Sequence, residues 1–247
     1  VDHVSFFLTI CEKFLAGTGV NHIKISKKIG YFIRIKIMRK ILDAIETSYV
    51  DSQTLLVRLS RYRNPRDWIA RSVQKGELWR IKNGFFLISS RFIRGRGDYP
   101  YEQIANLLYG PSYVSLEWAL SFYHFIPERV STVTSVTIGS TKEFTTPIGH
   151  FSYRHIRNSR YCIGIDRKNI EGQLGGFLIA IPEKALADWV FFTCDNINKK
   201  ELLEDLLEGK RIEKTMLQTL DKGIMDTISR QYKSPVVRRL YSVIREL

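Results

Sequence analysis
The stretch that most constrains this chain runs from Asn64 to Ile88, NPRDWIARSVQKGELWRIKNGFFLI. It reads as a helix followed at once by a β-hairpin. Asn64 is a good N-cap residue, Pro65 suits the first helical position, and Asp67 sits where a capping-box acid would. At 100° per residue, Trp68, Ile69, Ser72 and Val73 gather on one side and predict a buried face. Asp67, Ala70, Arg71 and Gln74 gather on the other, flanked by Arg66 and Lys75. Gly76 ends the helix cheaply, because glycine enters the left-handed region without Cβ strain. Leu78–Lys82 and Phe85–Ile88 then bracket Asn83-Gly84. Asn-Gly between two β-rich runs signals a hairpin, expected here as a type I′ turn. A polar-faced helix joined to such a hairpin predicts a winged helix-turn-helix, with the helix placed for the major groove of double-stranded DNA.

The preceding residues complete that plan. Ile41, Leu42 and Ile45 predict a first helix after Met38, and Asp51 is placed to cap a second with Leu55, Leu56 and Leu59 buried. Ser60–Arg63 is the turn into the third helix. Trp68 and Trp79 are expected to fill the small core. Residues 38–94 hold 12 Lys/Arg against 5 Asp/Glu, whereas residues 95–247 hold 20 against 18, so the net charge of +13 is concentrated around this module. That is the electrostatic footprint expected for phosphates. Arg71 suits bidentate reading of guanine and Gln74 of adenine, with Lys75 and Arg63 on phosphates and Asn64 and Arg66 at the start of the same helix. Arg80, Lys82 and Asn83 are expected to reach the adjacent backbone or minor groove from the wing, while Asp67 caps its own helix.

Four regions follow. Residues 1–37 are rich in Ile, Phe and Lys but show neither a helical face nor a hairpin signal, and read as an extension preceding a domain that begins near Met38. Residues 38–90 are the DNA-binding module. Residues 91–100, with Gly95, Gly97 and Pro100 among Arg91, Arg94 and Arg96, read as a linker. Residues 101–247 form a second domain. It opens with a short helix at 102–108 and a helix from Ser112 to about His124. Strands are expected at 130–138, 142–146, 151–156, 161–165 and 174–181. Helices follow at 182–192, 199–207, 216–232 and 235–246. Strands followed by a run of helices predict an α+β fold, its sheet antiparallel or mixed.

Cys11, Cys162 and Cys194 share no ligand spacing, which predicts reduced thiols in a cytoplasmic protein. No apolar run approaches the roughly 18 residues of a membrane span. Val4–Ile10 is short, preceded by Asp2 and followed by Glu12 and Lys13, unlike a signal peptide.

Three blocks resemble the AbiEi antitoxins of abortive-infection toxin–antitoxin systems. They are GELWRIKNGFFLI in the expected wing; YGPSYVSLEWALSFYHFIPERVSTVTSV followed by FTTPIGHFSYRHI; and IAIPEKALADWVFF, ending at Phe192. The resemblance spans roughly residues 38–195. It implies a phage-defence regulator that represses its own operon through the winged helix. It further implies that the C-terminal domain is needed to neutralise a nucleotidyltransferase-like toxin, without a stable complex between the two.

Enzyme chemistry finds little footing. The five histidines lack zinc spacing, and His150 and His155 fall on opposite faces of a strand. No nucleophile elbow or phosphate-binding glycine loop is present. Asp166 with Glu171-Gly172-Gln173 imitates the acidic set of a metal-dependent nuclease, but five residues are few for two adjacent strands and the segment reads as a charged turn. No catalytic residue, metal or cofactor is expected. The alternatives to a repressor are such a nuclease and a module that binds the toxin directly.

Overall fold
The structure, a computed structural model, describes residues 37–90, 100–169 and 175–247. The expectations for residues 1–36, and the linker apart from Pro100, lie outside the described residues. The chain divides into two compact units, residues 1–45 and 46–247. In the first, helix α1 at 37–43 buries Met38 and Leu42, with Ile45 buried just beyond it, an i, i+4, i+7 spacing that defines one apolar face.

The second unit opens with strand β1 (Tyr49–Asp51), helices α2 (Ser52–Arg58) and α3 (Pro65–Gln74), and the hairpin β2 (Leu78–Lys82) and β3 (Phe85–Ile88). All pairs are antiparallel and the order is β1-β3-β2. The short strand β1 is absent from the sequence reading, since three residues show no alternation. Asp51 caps α2 as expected: its carboxylate accepts the Thr54 N–H and the Thr54 hydroxyl, each at 2.8 Å. The Thr54 N–H holds the Asp51 carboxyl below its ordinary pKa.

The remaining chain builds a six-stranded mixed sheet and its helices. In order these are α4 (Tyr101–Leu108), β4 (Ser112–Val114), α5 (Leu116–Phe122), β5 (Thr132–Thr137), β6 (Lys142–Thr146), β7 (Gly149–His155), α6 (Asn158–Tyr161), β8 (Ile165–Asn169), β9 (Gly176–Ala180) and α7 (Pro182–Thr193). Then come α8 (Lys199–Glu204) with a π-helical turn at Asp205–Gly209, α9 (Lys214–Gln218), α10 (Lys222–Tyr232) and α11 (Pro235–Glu246). The sheet order is β6-β7-β5-β4-β9-β8, parallel at β5–β7 and β4–β9 and antiparallel elsewhere. Strand alternation puts Ser135 and Tyr153 on one face, where the Tyr153 hydroxyl donates to the Ala105 carbonyl of α4 at 2.7 Å. Thr134 and Tyr113 lie on the other, covered by α5 and α7. Where β4 runs out, the Asn106 side chain continues the ladder by bonding both the N–H and the carbonyl of Leu178.

Three sequence expectations are corrected. Ser112 does not cap a helix: Ser112–Val114 is an inner strand and the helix starts at Leu116, because the run Tyr113-Val114 is buried between two neighbours. The strand expected at 161–165 is the end of α6 and a turn through Gly164, with the strand beginning only at Ile165. The helix expected at 216–232 is two helices, since the Asp221 carboxylate caps a new one by accepting from Gly223 and Ile224 N–H.

The helices are locked to the sheet by a buried charge pair. Lys184 and Asp188, one turn apart on α7, are both fully enclosed, with Nζ 3.1 Å from Oδ1. Lys184 also donates to the Arg160 carbonyl at 2.8 Å and to the Tyr232 hydroxyl. Asp188 accepts from Tyr113 at 3.0 Å, from Ser115 at 2.7 Å and from Tyr232. The lysine Nζ stands 4.4 Å from the Tyr232 ring centroid, within cation–π range. Burial pulls the Lys184 pKa down, against the pull of Asp188, and pushes both tyrosines well up. Gly164 has φ +70°, and a Cβ there would stand 2.7 Å from Lys184 Cβ, so the turn before β8 needs glycine.

Breaking one side of a buried pair strands the other charge. Asp188→Ala is therefore expected to lower the unfolding free energy by about 3–5 kcal/mol. Lys184→Met combined with Asp188→Leu should recover most of that loss in urea denaturation. A double variant as unstable as the single one would mean that packing, not the charge pair, holds this junction.

Candidate nucleic-acid interface
Helix α3 has the two faces its sequence spacing predicts. Ile69 and Ser72 are buried and Trp68 and Val73 half-buried, while Arg66, Asp67, Ala70, Arg71, Gln74 and Lys75 are exposed. Tyr62 packs on Trp68 with ring centroids 4.8 Å apart, closing the turn against the inner face. The N-terminus departs from expectation. Asn64 is left-handed (φ 58°) and its side chain makes no cap bond; its carbonyl instead accepts from the Asp67 and Trp68 N–H groups. Pro65 occupies the first turn, as expected. The C-terminus is a Schellman motif around Gly76 (φ +70°): Gly76 N–H bonds Val73 O at 3.0 Å and Glu77 N–H bonds Ser72 O at 2.9 Å.

The hairpin forms at Asn83-Gly84, but not as a type I′ turn. Gly84 has φ +72° while Asn83 is not among the positive-φ residues, and the ladder shifts between Arg80 and Lys82. A bulge supplies the extra twist that two left-handed residues would otherwise provide.

The expected DNA contacts fall into three groups. Arg66, Arg71, Gln74 and Lys75 share α3; Arg63 and Asn64 are exposed in the turn before it; Arg80, Lys82 and Asn83 are exposed on the hairpin. Two further cations outside that set, Arg58 at the end of α2 and Arg61 in the turn, are exposed in the same run of chain as Arg63. The run RLSRYR was the available signal. Among the described residues, no ion pair engages Arg58, Arg61, Arg63, Arg66 or Arg71. Their charges are left to the solvent.

Lys82 is differently placed. Its Nζ donates to the Leu107 carbonyl at 2.6 Å, in the last turn of α4, where a cation also meets the negative end of the helix dipole. Strand β3 is buried throughout, and Leu87 shares one apolar core with Ile104, Ala105 and Leu108 of α4. Trp79 and Ile81 pack on the same core. The hairpin is thus seated on the following part of the chain.

Other chemistry is sparse. Among the described residues no group of three His, Cys, Asp or Glu could hold a metal ion. Asp166 is paired with Lys168 at 2.7 Å and accepts the Arg167 N–H, and these bonds hold its carboxyl below the ordinary pKa; Glu171 and Gln173 lie outside the described residues. Among those residues no helix is long and apolar enough to cross a membrane. Compared with known proteins, the chain matches no family model and no curated sequence.

Lys82→Ala removes the bond to α4 without removing a solvent-facing charge from α3. The expected outcome is a stability loss of about 1 kcal/mol in urea denaturation, with the salt dependence of duplex binding unchanged. A salt slope shallower by about one counterion at unaltered stability would instead make Lys82 a phosphate contact.

Proposed function
We propose that residues 38–90 form a winged helix-turn-helix and that the chain is a DNA-binding transcriptional repressor. One observation carries the reading: α3 turns Arg66, Arg71, Gln74 and Lys75 to solvent, opposite its buried Ile69 and Ser72. A polar outer side is common to surface helices; the arginines and glutamine on this one match what a major groove offers. Arg71 reads a guanine through N7 and O6 and Gln74 an adenine. Arg58, Arg61 and Arg63 lie where the helix before a recognition helix crosses the phosphate backbone. Arg80 and Asn83 approach the neighbouring backbone from the hairpin. The resemblance to AbiEi antitoxins extends the proposal to a cytoplasmic repressor of its own operon, not an enzyme. Residues 101–247 then neutralise a nucleotidyltransferase-like toxin without a stable complex. The nuclease alternative draws no support from Asp166, which is a solvent-accessible carboxylate paired with Lys168 and bonded to the Arg167 N–H.

Fluorescence anisotropy with a duplex from upstream of the gene and a scrambled duplex tests the reading. Arg71→Ala should lose about 1–3 kcal/mol on the upstream duplex, the worth of a bidentate base contact. On the scrambled duplex, where only charge counts, the loss should be smaller. Equal losses would make Arg71 a phosphate contact and rotate the docking face, and an unaltered chain that binds neither duplex at low salt would end the proposal.

A further inference from the structure
Away from the DNA surface, a cavity of about 210 Å³ is walled by Glu102, Trp118, Ser121, Phe122, Arg129 and Val130. It is smaller than the roughly 300–1,000 Å³ of sites for drug-sized ligands, so it suits one ring system or one side chain. Its walls are held in place. Glu102 Oε1 accepts the Trp118 indole N–H at 2.7 Å, and Tyr101 meets that indole edge-on with centroids 5.7 Å apart. The Ser121 hydroxyl donates to the Glu128 carbonyl at 3.1 Å, which pins the segment carrying Arg129 and Val130 to α5. Phe122 leaves a large apolar ring exposed, and Arg129 is exposed beside it. Burial raises the Glu102 pKa, partly opposed by the indole bond. A hydrogen bond to such a desolvated carboxylate is stronger than one in water.

Opposite charges on one small aromatic-walled cavity select against a simple ion, because Arg129 repels a cation and Glu102 an anion. A neutral planar ring with adjacent donors on one edge and adjacent acceptors on another satisfies both. Guanine has that pattern: O6 and N7 accept from arginine, and N1–H and N2–H donate from the Watson–Crick edge. Adenine, cytosine and uracil lack the adjacent donor pair. We propose that this cavity binds a guanine base, held by Glu102 at its N1–H and N2–H groups and by Arg129 at O6 and N7, with its ring against Trp118 and Phe122. The base belongs either to a free nucleoside or nucleotide or to a single strand of nucleic acid, where aromatic stacking also supplies affinity.

Isothermal titration of the full chain with guanosine, adenosine, cytidine and uridine tests the proposal. Guanosine should bind about ten- to a hundredfold more tightly than the others, the selectivity of a bidentate contact. Glu102→Gln keeps an amide oxygen for the Trp118 indole but loses an acceptor for the base, and should weaken guanosine by about tenfold or more. Arg129→Met, at an exposed position, should do the same. Neither variant should alter duplex binding, which separates this site from the DNA-binding face. A short oligonucleotide carrying one guanine identifies the source: binding tighter than guanosine assigns a single strand, and equal binding a free base. Equal affinity for the four nucleosides, no heat with guanosine at millimolar concentration, or preference for arginine amide or a free amino acid would overturn the proposal. Should Glu102→Gln fail to fold, the nucleoside ranking of the unaltered chain and Arg129→Met decide the matter.

Discussion
The Lys184 ammonium and the Asp188 carboxylate are sealed inside the protein, and their bonds dictate how sheet and helices meet. Two charges taken out of water are tolerable only when each finds a full set of partners. Here the partners come from five places: Tyr113 on β4, Ser115 before α5, the Arg160 carbonyl on α6, the pair itself on α7, and Tyr232 on α10. Shifting β4 by one residue would turn Tyr113 to the opposite face of the sheet and leave Asp188 short of a donor. A shifted register would thus cost Asp188 a donor, a penalty that an apolar contact in the same place would not impose.

The hairpin depends on the same body. Leu87 belongs to the core that also contains Tyr113 and Trp189, and Lys82 reaches across to the end of α4. The exposed face of α3 and the hairpin beside it are thus carried by a sheet whose geometry is set far from either. Residues 46–247 form one compact unit.

Much of this was legible in the sequence, and the limits have physical causes. The two faces of α3 follow from ten residues of strong periodicity, and Pro65, Asp51, Pro182 and Pro235 mark helix starts by stereochemistry that tertiary contacts leave alone. β1 and β4 escaped because three-residue strands carry no alternation, and β4 is held by β5, β9 and Asp188 rather than by its own propensity. Lys184 and Asp188 drew no expectation from the sequence, since i, i+4 spacing alone does not reveal burial. The Asn64 cap and the type I′ turn were inferred from residue preference. In the structure a backbone carbonyl and a bulge perform those tasks. Lys82 is expected from its charge to meet DNA; its bond to the Leu107 carbonyl, 25 residues along the chain, is a contact at a distance where sequence pattern is silent. Arg58 and Arg61 show in the sequence as charge alone, because they precede the helix whose periodicity defines a face.

DNA binding through the cationic surface around α3 is tested most directly by the salt dependence of duplex affinity. Each phosphate neutralised contributes a slope of about −0.9 in a plot of log affinity against log salt. With Arg58, Arg61, Arg63 and Arg66 exposed along one run of chain, the expected slope is about −3 or steeper. Alanine at all four arginines together should make it shallower by about 3, leaving only what Lys75 and Arg80 contribute. A slope near zero for the unaltered chain, or a steep slope that survives the fourfold replacement, would contradict this assignment of the binding surface.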